Sequence, residues 1–91
     1  MTYREFKKIV IEYFCQKCNV IKKRYIKKGL TFCILNPYIP VYHAFFKFAE
    51  KTYMLTYWNG KWSLDDLETR QLCNYGETIN KCCDCLWKIG D

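Results

Sequence analysis

The chain predicts an α+β domain with an N-terminal helix, a small antiparallel sheet of about three strands, and two short C-terminal helices. Three observations lead there. Thr2 and Glu5 stand at capping-box spacing ahead of Phe6, Ile9, Val10, Tyr13 and Phe14, which recur at helical period. Short runs of β-branched and aromatic residues follow, around an Asn59-Gly60 dipeptide. Helix signals return after residue 62, in two groups.

Element by element, the first helix covers residues 2–14, with its apolar side chains on one face. Continued unbroken, that face would take in Lys17 and Arg24, so the helix should bend or break within 15–19. A second helical piece, 20–28, would close at Gly29. Residues 31–35 suit a strand, and Asn36, Pro37 and Pro40 make a loop. Residues 41–48 alternate loosely as a strand, although Ala49, Glu50 and Lys51 are helix formers and leave a helix as a rival there. Residues 52–58 read as a strand, and the Asn-Gly turn would set Trp58 against Lys61 and Tyr57 against Trp62. Ser63 with Asp66 would cap a helix over 64–73, whose acidic first turn suits the dipole. Tyr75-Gly76 breaks it, and residues 77–89 form the last helix, with Ile79, Cys82, Cys83, Leu86 and Ile89 on one face.

Ninety-one residues make one domain spanning 1–91, and 51% hydrophobic with 26% charged residues is a globular composition. The charge is segregated. Residues 1–28 hold nine basic and two acidic side chains, whereas 29–91 hold six and seven. One end is therefore suited to an anionic partner. Neither a secretory leader nor a membrane-spanning run is apparent, because the longest charge-free stretch, 29–46, contains Asn36, Pro37, Pro40 and His43. The expected setting is cytoplasmic.

Seven cysteines in such a chain point to reduced thiols or metal ligation before a disulfide framework. Cys15 and Cys18 form one CxxC pair, Cys82 and Cys85 another, the usual halves of a structural zinc site. The 63 residues between the inner two are far more than common fingers use, so such a site would clip the first helical region to the last. The competing reading is plain packing, since Cys82 and Cys83 lie on an apolar helix stripe and Cys33 within a strand. His43, the sole histidine, would need Cys33 or Cys73 beside it to make a nucleophilic dyad, and no spacing brings them together. The four glycines are isolated, so no phosphate-binding loop exists. The expectation is a protein that is not an enzyme.

The basic segment Lys22, Lys23, Arg24, Tyr25, Lys27 and Lys28 carries the functional expectation. Nothing from 17 to 28 is acidic, and such density suits phosphate contact or an acidic protein groove. Aromatics make up 19% of the chain, more than a small core absorbs, and Tyr38, Tyr57, Trp58 and Trp62 are candidate protein-contact residues. Without a recognisable readout motif, the favoured reading is a small modulator or inhibitor, of the kind viruses and mobile elements encode. Its target would be a host protein or nucleoprotein complex that handles nucleic acid. The alternative is a module that binds RNA or DNA directly through residues 22–28, stapled by the zinc site. Anionic membrane surface is the least favoured partner.

Overall fold

The computed structural model describes residues 1–17 and 29–86. Helix α1 (Tyr3–Lys17) precedes five strands, β1 (Thr31–Asn36), β2 (Val41–Phe48), β3 (Lys51–Trp58), β4 (Lys61–Asp66) and β5 (Gln71–Gly76), and a short helix α2 (Ile79–Cys83). The strands form one antiparallel sheet in chain order, a meander with β1 and β5 at its edges. The α+β expectation is therefore corrected in detail: five strands replace three, and one short helix follows the sheet in place of two.

The capping box at the start of α1 is present, with the Glu5 amide donating to Thr2 Oγ1 at 3.1 Å and the Thr2 hydroxyl to Glu5 Oε1 at 3.2 Å. The helix runs through Lys17, into the stretch where a bend was expected; the expected piece over 20–28 lies outside the described residues. Phe6, Val10, Tyr13 and Phe14 are buried against one face of the sheet. That face is built by Tyr42, Ala44 and Phe46 of β2, Tyr53 and Leu55 of β3, and Trp62 and Leu64 of β4. Phe6 stacks on Tyr42 at 5.4 Å and on Trp62 at 5.6 Å between ring centroids, with Phe32 edge-on at 6.1 Å. Phe14 packs on Phe46 at 4.7 Å. Such aromatic pairs add to the burial of large apolar area.

The Asn59-Gly60 hairpin has the expected register, Trp58 opposite Lys61 and Tyr57 opposite Trp62, with positive φ at both turn residues. Residues 41–48 are a strand, so the rival helix is absent. Ala49 and Glu50 instead make a tight turn with φ of 51° and 65°, and Phe48 pairs with Lys51. Neither residue favours this conformation, which hid the turn from a reading of composition.

The expected helix over 64–73 is the largest error. Trp62, Leu64 and Asp66 alternate inward along β4, a period of two. Asp66 does cap amides, but those of a loop. Its Oδ1 accepts from the Glu68 amide at 2.8 Å, its carbonyl accepts from the Arg70 amide at 2.8 Å, and Arg70 closes the turn at φ 60°. The last helix is shorter than 77–89 as described. Thr78 caps it by accepting from the Lys81 amide, and Ile79, Cys82, Cys83 and Leu86 are buried as expected. Asn74 holds α2 onto β5 by donating to the Lys81 and Cys82 carbonyls at 3.0 and 3.1 Å.

Two substitutions test these turns. Ala49→Asn with Glu50→Gly should raise the urea midpoint at unchanged slope, a gain of about 1 kcal/mol from relieved left-handed backbone. Gly76→Ala should destabilise by about 1–3 kcal/mol in the same assay. A methyl group there would meet Lys81 Cβ at 2.8 Å and the Cys82 amide nitrogen at 3.1 Å, where α2 crosses β5.

Candidate protein-contact end

The register sorts exposed side chains by position along the strands. Tyr42 pairs with Tyr57, Tyr57 with Trp62, and Trp62 with Gly76. The β1–β2 loop (37–40), the Asn59-Gly60 turn and the end of β5 therefore share one end of the sheet. The start of α1 lies there too, because the Tyr42 hydroxyl donates to the Met1 carbonyl at 3.0 Å.

Most of the exposed large apolar residues gather at this end. Leu35, Ile39, Trp58 and Tyr75 are more than half exposed, and Tyr38 is 92% exposed. Ile34 and Met1 are exposed beside them, while Leu72, opposite Asp65, lies toward the other end. The loop is held open by its own sequence. Asn36 Oδ1 accepts from the Tyr38 amide at 2.9 Å and the Ile39 amide at 3.4 Å, and Pro37 and Pro40 restrict the backbone on either side. Tyr38 and Ile39 are thus presented on a short, braced loop.

Of the four expected contact aromatics, Tyr38 and Trp58 face solvent at this end. Trp62 is in the core against Phe6, and Tyr57 is half-buried, with its ring 6.4 Å from Tyr42 and 5.0 Å from Trp62. Tyr57 and Trp62 are withdrawn from contact because directly opposed residues share a face, and theirs is the face that α1 covers. Ile34, Leu35, Ile39 and Tyr75 were not anticipated. A strand bulge after Ile34 frees Leu35 from pairing, a feature without a sequence signal here.

The basic residues Lys22, Lys23, Arg24, Tyr25, Lys27 and Lys28 and the thiol of Cys18 lie outside the described residues. Of the other expected zinc ligands, Cys15 is half-buried on α1. Cys82 is fully buried with its thiol toward the Asn74 carbonyl at 3.8 Å, and the Cys85 thiol donates to the Cys82 carbonyl at 3.5 Å. Among the described residues, no group of three or more His, Cys, Asp and Glu side chains is placed to hold a metal ion. The first and last helices are nevertheless joined. The Tyr13 hydroxyl donates to Asp84 Oδ1 at 2.6 Å, and Lys17 Nζ lies 3.4 Å from the same oxygen. A hydrogen bond with the Cys82 thiol, then burial and the neighbouring Cys85 and Asp84, push the Cys83 thiol far above the ordinary range.

The face of the sheet away from α1 carries a polar row, Cys33, His43, Thr56, Ser63 and Tyr75, one residue per strand. Cys33 stands directly opposite His43, a pairing no spacing had suggested, whereas Cys73 is three strands away. His43 is buried, its Nδ1 lies 2.8 Å from Thr56 Oγ1, and its Nε2 has no partner among the described residues. Burial lowers its pKa, partly opposed by Asp65. In the adjoining row Asp65 lines a shallow groove of about 570 Å3 with Phe45, Met54 and Arg70, and burial raises its carboxyl pKa.

No protein-family model matches the chain, and neither a curated protein nor a solved structure shows detectable similarity to it.

With one histidine in the chain, His43 has a separable pH signature. Its folded-state pKa lies below 6.5, so between the two values the unfolded chain binds more protons. Stability should be level above pH 6.5 and fall as pH drops below it, and urea titrations should show His43→Gln flattening that decline. Asp65, held above 3.8, works in the opposite sense at lower pH.

Proposed function

We propose that the chain is a non-enzymatic binding protein that seats the apolar end of its sheet in a pocket of a partner protein. The observation that carries this reading is the gathering of Leu35, Tyr38, Ile39, Trp58 and Tyr75 at that end. Tyr and Trp are the residue types that dominate interface energetics, and monomers seldom cluster so many large apolar side chains in solvent. The supporting loop is braced by Asn36 and two prolines, so little ordering entropy would be lost on docking.

Charge supplies the second half of the proposal. The excess of basic side chains in residues 1–28 would speed approach to an acidic surface, and it motivates a nucleic-acid-handling complex as the host partner. In this division of labour the cations set the rate of encounter and the apolar end sets the lifetime. The protein would then act by occupying a surface, as a modulator or inhibitor.

The test compares variants on a complex recovered from nuclease-treated host lysate. Tyr38→Ser with Trp58→Ser should weaken that complex about thirtyfold or more, mainly through faster dissociation. Charge reversal at Lys22, Lys23, Arg24, Lys27 and Lys28 should slow association and reduce its salt dependence. The reading is sunk if the aromatic double variant binds as the wild type does. It is equally sunk if the purified chain binds oligonucleotides with a steep salt slope that only the charge reversals abolish, which is the behaviour of a direct nucleic-acid binder.

A further inference from the structure

We propose that β1 is a self-association edge, through which two copies of the chain pair strand to strand and continue one sheet into the other. The edge shares Leu35 with the apolar end, but the inference holds whatever that end binds, and comparing Ile34→Lys with the pair Tyr38→Ser and Trp58→Ser keeps the two surfaces apart. β1 is an outer strand of the sheet, and its backbone groups facing away from β2 have no partner among the described residues. An extended backbone is the chemistry that satisfies such groups. Natural edges are usually blunted by charged side chains, proline or a mid-strand bulge. Thr31–Asn36 contains no charged residue and no proline, and its bulge falls at the end, after Ile34. Four consecutive residues, 31 to 34, keep regular pairing geometry.

A second copy is favoured over another strand by symmetry and charge. Two identical strands meeting about a two-fold axis run antiparallel, and each side chain faces a symmetry-related neighbour on the same side of the sheet. Any charge on the strand would be brought close to its own copy. In a chain of net charge +6 with lysine on β2, β3 and β4, an uncharged edge is the place where two copies can approach. The opposite edge, β5, also lacks charge, but its bulge falls at Cys73 in mid-strand and Arg70 and Glu77 flank it. Its regular stretches are too short to serve as a template.

Face matching restricts the register. Opposed residues must point to the same side, so like parity meets like parity, and on the regular stretch 31–34 the register that brings Ile34 into the pairing sets Cys33 opposite its own copy and Phe32 opposite Ile34. Ile34 and Leu35, exposed in the single chain, would then lie along the seam. Cα atoms opposed in an antiparallel pair are about 4.5–5.5 Å apart, within disulfide reach.

The experiment is sedimentation equilibrium of the full chain under reducing conditions across a concentration series, with diamide cross-linking and peptide mapping in parallel. The wild type should rise with concentration from the mass of one 11.1-kDa chain toward two. Ile34→Lys and Leu35→Lys should each weaken the dimer about tenfold or more, with unchanged circular dichroism. Leu72→Lys on the β5 edge should leave it intact, as should Tyr38→Ser with Trp58→Ser, which separates this proposal from the contact end. Diamide should join Cys33 to Cys33, and Cys33→Ser should remove that link while the non-covalent dimer persists. A wild type that stays at one chain throughout overturns the proposal. So does a dimer indifferent to both lysine variants, or one that Leu72→Lys abolishes.

Discussion

Phe6, stacked between Tyr42 and Trp62, is the contact on which the other features of this molecule rest. It draws together β2 and β4 through one ring and fixes where α1 crosses the sheet. By filling one face with aromatic side chains it decides what the other face and the ends must show. Tyr57 and Trp62 go inward with it, so Trp58 goes outward. Tyr13 and Phe14, two turns further along α1, carry the same seam to Phe46 and to Asp84 beyond α2. Helix α1 covers one face of the five-stranded sheet, and that face is the aromatic one.

The parts legible in the sequence are those where local chemistry and tertiary placement agree. Thr2 and Glu5 cap α1, the stripe from Phe6 to Phe14 is its buried face, and Asn59-Gly60 sets the register of β3 and β4. Where one residue type serves two geometries, local spacing does not decide between them. Ser63 and Asp66 have helix-cap spacing, yet Asp66 binds amides equally well in a hairpin loop, and the inward alternation of Trp62, Leu64 and Asp66 decided the outcome. Ala49 and Glu50 form a turn that their propensities oppose, made tolerable by seven paired positions along β2 and β3.

The candidate site was half legible for a related reason. Composition shows that more aromatics exist than a small core holds, and the register of one hairpin places a pair of them. It does not say which side of the sheet a helix will cover, and that choice separates Tyr38 and Trp58 from Tyr57 and Trp62. The apolar end is visible only once all four strand connections are known, because its members come from residues 34 to 75.

The meander has a further consequence, for the order of folding events. Every strand pairs with its chain neighbour across a loop of two to four residues, so the sheet is assembled from local contacts that close quickly. Helix α1 has the opposite character. It comes first in the chain, but its stacking partner Trp62 and its hydrogen-bond partner Asp84 come much later. During synthesis the stripe from Phe6 to Phe14 can meet Phe32, Tyr42 and Phe46 once β1 and β2 are made, but its covering is incomplete until Trp62 and Asp84 have left the ribosome. Completing the docking of α1 is the late, non-local step, and the nascent chain passes through a stage in which that stripe is partly open to chaperones or to aggregation.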